Sequence, residues 1–216
     1  CLNGYKLTGT GTSSVITVGA GASFTLEDCR SASEAAEHQH AYYANSDGLY
    51  VFDNGTEEWS AAYEAAENKG TVKGGVITGG RGSRGGVYVT GGTFTMSGGT
   101  ISGNTASNNG GGVFIDKYAA FTMGNGTISG NTAEYGGGVF VHDSEFTMND
   151  GTISGNTVSY AGGGVNVDSS TFTMTDGEIS GNTAASGGGV FVFDDTFTMN
   201  GGTISGNVAT SGGGVN

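Results

Sequence analysis

A repeat of about 25 residues constrains the fold of this chain more than any other feature of its sequence. Each copy carries a Phe-Thr-Met string, an Ile seven residues after that Phe, and a Gly-Gly-Gly-Val string 11 or 12 residues after the Ile. The repeated positions are Phe94, Phe121, Phe146, Phe172 and Phe197, then Ile101, Ile128, Ile153, Ile179 and Ile204, then Val113, Val139, Val165, Val190 and Val215. Since one such unit cannot bury its own apolar face, we expect the copies to stack into a solenoid.

Apolar and polar residues alternate within each copy, which is the pattern of β-strands. In Thr196-Phe197-Thr198-Met199, the Phe and the Met would face the core while the two threonines face solvent. Successive turns of the solenoid, here called rungs, would pair each strand with its copies above and below at about 4.8 Å. We therefore predict an all-β fold, a right-handed single-stranded parallel β-helix with three short strands per rung, the hand following from the preferred chirality of parallel crossovers.

A Gly-Asn pair follows each repeated Ile at a fixed distance. Glycine adopts positive φ without strain, and asparagine both tolerates that region and forms hydrogen bonds with turn backbone. Stacked asparagines can also bond to one another. We predict a structural ladder at this corner, formed by Asn104, Asn131, Asn156, Asn182 and Asn207.

The composition limits the functions open to such a solenoid. The formal net charge is −13 with only 7 basic residues, so nucleic acids and anionic membrane surfaces would be repelled. No apolar run approaches the ~18 residues of a membrane-spanning helix, and we predict no transmembrane segment. The 45 glycines, with no proline, indicate tight turns in a folded chain rather than a disordered linker.

The repeat divides the chain into three parts. Residues 1–29 are interpreted as degenerate first rungs, and residues 74–216 as regular β-helix rungs. Residues 30–73 break the pattern, and we predict a strand from Leu49 to Phe52 and a helix from the N-cap Thr56 to a stop at Gly70. This small α/β insertion would cap the open strand edges of the first rungs.

The two cysteines, Cys1 and Cys29, lie 28 residues apart, which is close to one rung. In a solenoid they could stand almost above one another, about 5 Å apart. A disulfide needs Cα atoms at roughly 4.4–6.8 Å, so we predict a bridge between adjacent rungs. Two reduced, buried thiols are the alternative.

Three strings alternate along residues 72–216 and, more weakly, along residues 1–29: Gly-Gly-Gly-Val-Phe, Phe-Thr-Met-Asn and Ile-Ser-Gly-Asn. This alternation resembles the repeats of bacterial adhesin-like surface proteins. It is similar to the repeats of chlamydial polymorphic outer-membrane proteins, which carry Gly-Gly-Ala-Ile and Phe-x-x-Asn strings, although Val stands here in place of Ala-Ile. The resemblance implies a β-helical passenger or stalk exposed outside the cell.

Ionisable side chains follow the Gly-Gly-Gly-Val strands at nearly the same position of successive rungs. They are Asp116, His142, Asp143, Asp168, Asp194 and Asp195, with Lys117 as the nearby cation. A glycan-cleaving site needs a unique cluster of carboxylates with a basic residue or metal in a cleft, whereas this position repeats. We predict an acidic edge without catalytic residues and without a cofactor, with weak Ca²⁺ binding and polysaccharide chemistry as the alternatives.

The insertion is where the regular pattern ends, and it carries four aromatic residues: Tyr42, Tyr43, Tyr50 and Trp59. They are a candidate ligand surface for glycans, with a small hydrophobic cap as the competing interpretation. The string His38-Gln39-His40 could hold a metal through two imidazoles, but no third ligand is evident, so no metal site is predicted.

Outward threonine pairs at positions 93/95, 171/173 and 196/198 could form a flat array, as in solenoidal ice-binding proteins. Ala120 and Glu145 interrupt these rows, and Glu178 replaces a threonine. A charge in the middle of such a face argues against ice binding.

The leading hypothesis is a non-catalytic extracellular or cell-surface protein of bacterial type, with a structural or adhesin-like role. Its partners would be cell-surface glycans or proteins. One alternative is a filament subunit that stacks head to tail with copies of itself through open terminal rungs. The others are a polysaccharide-active enzyme and an ice-binding solenoid.

Overall fold

The computed structural model describes residues 2, 5–28, 39–45, 50–53 and 57–216. Four parallel sheets run along the solenoid, and each takes one short strand from every complete rung. The predicted parallel β-helix is therefore confirmed. Cys1 and Cys29 lie outside the described residues, so their disulfide stays a prediction.

The sheets are named here by their characteristic residue. The valine sheet contains β2 (Ile16–Val18), β9 (Val87–Thr90), β13 (Val113–Asp116), β17 (Val139–His142), β21 (Val165–Asp168) and β25 (Val190–Phe193). The phenylalanine sheet contains β3 (Ser23–Leu26), β10 (Thr93–Met96), β14 (Ala120–Met123), β18 (Glu145–Met148), β22 (Thr171–Met174) and β26 (Thr196–Met199).

The other two sheets complete each rung. The isoleucine sheet contains β1 (Lys6–Thr8), β7 (Val76–Thr78), β11 (Thr100–Ser102), β15 (Thr127–Ser129), β19 (Thr152–Ser154), β23 (Glu178–Ser180) and β27 (Thr203–Ser205). The alanine sheet contains β8 (Arg81–Gly82), β12 (Thr105–Ala106), β16 (Thr132–Tyr135), β20 (Thr157–Ala161), β24 (Thr183–Ser186) and β28 (Val208–Ser211).

Each of the five complete rungs, from β7 to β26, thus has four strands, and the three expected from the sequence were one too few. The additional strands form the alanine sheet, which follows the Gly-Asn corner. Its strands contribute small buried side chains to a cluster separate from the main core: Ala106, Ala133, Val158 and Ala184. A strand with so few inward residues shows no clear period-two alternation, which is why the sequence pattern does not reveal it.

Equivalent residues of successive rungs pair directly with one another. Phe94 pairs with Phe121, and Phe121 with Phe146. Adjacent rings of this ladder stack with centroids 4.7 Å apart and planes within 8° of parallel. The Phe, Met, Ile and Val ladders of the central rungs are at most 1% exposed. Stacking like on like therefore joins strands too short to be stable alone into one continuous core.

The Gly-Gly-Gly string is required by a close backbone approach between rungs. A Cβ atom placed on Gly138 would lie 2.6 Å from the carbonyl oxygen of Gly164 and 2.6 Å from Cγ2 of Ile153. The same clash recurs at Gly112 and Gly164. Because the obstructing atoms include backbone of the next rung, a side chain here would push two rungs apart.

We expect Gly138→Ala to lower the free energy of unfolding by about 1–3 kcal/mol, the usual cost of overpacking. Gly124→Ala is the matched control, because its Cβ would meet nothing closer than the Met96 carbonyl oxygen at 3.8 Å. Urea denaturation followed by circular dichroism measures both. Equal midpoints for the two variants would contradict the proposed close approach.

The corner asparagines form a continuous hydrogen-bonded ladder inside the solenoid. The Asn156 Nδ2 donates to Asn182 Oδ1 at 2.9 Å and to the Ile128 carbonyl oxygen at 3.0 Å. The backbone N–H of Asn156 donates to the same Asn182 Oδ1 at 2.9 Å. In turn, Asn156 Oδ1 accepts both the backbone N–H and the Nδ2 of Asn131 at 3.0 Å.

The pattern repeats from Asn104 to Asn207. Asn104, Asn131, Asn156 and Asn182 are at most 1% exposed. The Asn156 amide thereby satisfies backbone groups of the preceding rung and bonds to the asparagine of the next one, as buried polar groups must.

Residues 39–73 contain the strands β4 (Gln39–Ala44), β5 (Tyr50–Phe52) and β6 (Lys69–Lys73) and the helix α1 (Glu57–Ala65). The three strands form an antiparallel sheet in the order β5-β4-β6. The predicted strand and helix are both present, but the helix ends at Ala65 rather than Gly70. Gly70 instead lies in β6, paired with Tyr42 and packed against its ring. The Lys69 amine donates to the Glu64 carbonyl oxygen near the helix end.

Candidate ligand groove on the valine sheet

The acidic edge occupies three consecutive positions at the corner between the valine and phenylalanine sheets. Asp116, His142 and Asp168 end three successive strands of the valine sheet, with His142 paired directly to Asp168. Asp143 and Asp194 occupy the next position, with φ of 45° and 54°, and Asp195 comes one residue later. The edge is therefore three short rows, and the first row brings carboxylates and an imidazole together.

His142 lies between carboxylates of neighbouring rungs. Its Nδ1 is 3.0 Å from Asp116 Oδ1, and its Nε2 is 3.9 Å from Asp168 Oδ2. The Tyr88 hydroxyl donates to the other oxygen of Asp116, Oδ2, at 3.3 Å. Asp116 is only 8% exposed, so these bonds fix a Tyr–Asp–His chain across three rungs.

The hydrogen bond that the Asp116 carboxylate accepts from His142 raises the pKa of this imidazole above its ordinary value of 6.5. The charges of Asp143, Asp168 and Asp116 add to the rise. Partial burial opposes it by penalising the charged imidazole. The protonated imidazole therefore offsets part of the acidic charge along the row.

The raised pKa makes stability depend on pH. The contribution of His142 is fully present below the unfolded pKa of 6.5 and is lost as the pH rises through the folded value. We expect the difference in free energy of unfolding between the wild type and His142→Gln to be larger at about pH 5.5 than at about pH 8. Denaturant titrations at both pH values measure it. A difference that is constant or grows with pH would contradict the assignment.

Asp195 has a structural role at the same corner. Its Oδ1 accepts the backbone N–H of Ser170 at 2.9 Å. Ser170 Oγ accepts the N–H of Ser144 at 3.0 Å, and Ser144 Oγ accepts that of Ala119 at 3.1 Å. Short polar side chains therefore tie successive rungs together here, which sequence analysis did not anticipate.

An aromatic row lies on the outward face of the valine sheet and was not predicted from the sequence. In β9, β13, β17, β21 and β25, the residue between the two inward residues is Tyr88, Phe114, Phe140, Asn166 and Phe191 in turn, whereas β2 has Thr17 there. A polar residue is expected at an outward position of an exposed strand, so four aromatic residues there were a readable signal. Phe114 and Phe140 are 6% and 5% exposed although they point away from the main core.

The row forms the floor of a groove. One part of it, here called the aromatic cleft, has a volume of about 400 Å³ and is lined by Asn109, Tyr135, Phe140, Asn166, Asp168, Phe191 and Phe193. Tyr135 belongs to the alanine sheet and stacks on Tyr160 with ring centroids 5.2 Å apart. The alanine sheet thus supplies one wall, and the row of Asp168 and Phe193 supplies the other.

The candidate ligand surface of the insertion is described only in part. Tyr42 and Tyr43 are adjacent on β4, and neighbouring residues of a strand face opposite sides of the sheet. The Tyr42 ring packs on Phe52 with centroids 5.4 Å apart. The side chains of Tyr50 and Trp59, together with His38, lie outside the described residues. His40 pairs with Val72 through the backbone.

The threonines of the phenylalanine sheet form one uninterrupted row, made of Thr25, Thr95, Thr122, Thr147, Thr173 and Thr198. The neighbouring row contains Ala120 and the exposed Glu145, paired directly with each other. Ice binding stays a hypothesis, with this charge in the middle of the face.

Among the described residues, no group of three or more His, Cys, Asp or Glu side chains has the arrangement of a metal site. Weak calcium binding at the acidic edge stays an untested alternative. In the described part of the chain, no helix has the length and apolarity needed to cross a membrane.

Comparison with known proteins agrees with this architecture. Residues 14–216 match the family model described as right handed beta helix region. No curated protein and no solved structure matches the chain at the significance required. The match covers nearly the whole chain and agrees with its stacked parallel sheets, so the chain belongs to the right-handed β-helix family.

Proposed function

We propose that this chain is a non-catalytic, extracellular, adhesin-like scaffold that presents a ligand surface along its length. The observation that carries the proposal is the open groove of the valine sheet. Its aromatic floor and acidic row are built from equivalent positions of successive rungs. A surface repeated along an axis suits attachment to an extended partner, whereas catalysis depends on one enclosed constellation.

The stacking of equivalent residues supports a structural role. The inward residues form ladders, and the corners are held by amide and hydroxyl ladders. Outward positions are therefore free to vary without disturbing the core, as in solenoids that carry extended binding surfaces. The net charge of −13 favours a partner that is neutral or basic.

The chain of Tyr88, Asp116 and His142 beside Asp168 favours a second candidate, a polysaccharide-active enzyme. Paired carboxylates are the groups that glycan hydrolysis uses, and here they lie beside an imidazole whose pKa is raised. Against this role, the Asp116 carboxylate is committed on both oxygens, to Tyr88 and to His142.

Two readouts test the proposal. Intact cells producing the protein are treated with a protease that cannot enter them, and we expect the chain to be lost from the cells while a cytosolic marker persists. The purified chain is also incubated with a polysaccharide panel, and we expect no new reducing ends or unsaturated products.

Protection of the chain in intact cells would contradict the extracellular location. Product formation that Asp168→Asn abolishes, while Asp176→Asn does not, would establish the enzyme instead. Asp176 is the matched control because it is an exposed aspartate at a different corner, where its Oδ1 accepts the Gly177 N–H at 2.8 Å.

A further inference from the structure

The aromatic cleft exists because one residue breaks the aromatic row. Asn166 stands where the neighbouring strands carry Phe140 and Phe191. These two phenylalanines are two rung steps apart, roughly 10 Å at about 4.8 Å per step. The missing ring opens a gap between them, walled by Tyr135 on one side and by Phe193 and Asp168 on the other.

At the other end of the same row, an arginine side chain of this chain stacks on the aromatic rings. The Arg84 guanidinium lies over the Tyr88 ring, with its central carbon 4.0 Å from the ring centroid, and is 5.4 Å from the Phe114 centroid. Its Nε is buried with no hydrogen-bond partner, so ring stacking is a main contact of this group. Guanidinium groups are well suited to such faces because they are planar and weakly hydrated.

No Lys or Arg side chain of the described residues lies over Phe140 or Phe191. The cleft there has a carboxylate residue and an amide residue in its lining, both of which can accept from a guanidinium. Asp168 lines the cleft, and its side chain is 43% exposed. Asn166 donates its Nδ2 to the Ala161 carbonyl oxygen at 3.2 Å, which leaves Oδ1 to accept from a ligand.

We propose that the aromatic cleft binds an arginine side chain of a partner polypeptide. The guanidinium stacks in the gap between Phe140 and Phe191, against Tyr135 and Phe193, and donates to Asp168 and Asn166. The net charge of −13 draws a basic segment toward the surface. This inference rests on the proposed display role for its biological use, but the binding test does not depend on where the chain resides.

The same chemistry disfavours other ligands. Phosphates and acidic glycans would meet the negative charge of Asp168, with Asp116 and Asp143 nearby. Among the described residues, His142 is the basic group within 4 Å of these carboxylates. A neutral glycan could stack on the rings, but it would gain little from the carboxylate charge. A guanidinium uses the rings and the charge together, and this difference separates the two ligands experimentally.

The test is an NMR titration of the ¹⁵N-labelled full chain with the peptide acetyl-Gly-Arg-Gly-amide at low ionic strength. We expect shifts that include the Asn166 side-chain amide. Acetyl-Gly-citrulline-Gly-amide has the same shape without the charge and should not produce them. Asp168→Asn and Phe193→Leu should each weaken binding at least about fivefold. Asp176→Asn, which removes the same charge elsewhere, should change it less than about twofold.

Equal binding of the citrulline peptide would overturn the proposal, because recognition would then not need the cation. Equal weakening by Asp168→Asn and Asp176→Asn would also overturn it, since the attraction would come from net charge alone. Saturable binding of a neutral oligosaccharide, with no binding of the arginine peptide, would assign the cleft to glycans. Thermal melts of the variants confirm that each is folded, and protease treatment of intact cells tests the display role separately.

Discussion

The corner asparagines join each rung of the solenoid to its neighbours and satisfy buried backbone groups, and the rest of the structure depends on this interaction. The side chain of Asn156 bonds to the asparagines above and below it and to a carbonyl oxygen of an isoleucine strand. The corner is sealed from water, and an unpaired backbone group there would cost roughly 1–3 kcal/mol. The ladder fixes the register, and register places every Phe on a Phe and every Ile on an Ile.

Register in turn creates the outer surface. Because the side-chain period of a strand is two, inward valines that stack in line force the residues between them to stack in line as well. The aromatic floor and the row of Asp116, His142 and Asp168 are therefore consequences of rung stacking. The proposed binding of a ligand depends on the exceptions, above all on Asn166, which stands in place of an aromatic side chain and lines the cleft.

The repeated Phe, Ile and Val positions were sufficient to predict the parallel β-helix, because fixed spacing and period-two alternation have few other physical solutions. The place of the asparagine corner followed for the same reason. The alanine sheet could not be predicted, since its strands bury few and small side chains. The helix end at Ala65 was missed because Gly70 serves a strand packed on Tyr42, which a rule for helix termination cannot anticipate.

The groove was missed for a different reason. The position between two inward residues of a strand is expected to face solvent, although Tyr88, Phe114, Phe140 and Phe191 occupy it here. Which ionisable groups meet depends on hydrogen bonds between rungs, such as that between Asp116 and His142. The sequence indicated an acidic edge, and only the geometry separates its structural member, Asp195, from the row beside the cleft.

The ladder is tested most directly by the free energy of unfolding of Asn156→Ala against Asn149→Ala. Asn156 is fully buried, and its loss leaves the Asn131 N–H groups and the Ile128 carbonyl oxygen without their partners. We predict a loss of about 3 kcal/mol or more. Asn149 is exposed, and its side chain accepts one long bond from Thr175, so its replacement should change stability by less than about 0.5 kcal/mol. Equal stability of the two variants would contradict a structure that depends on its corner asparagines.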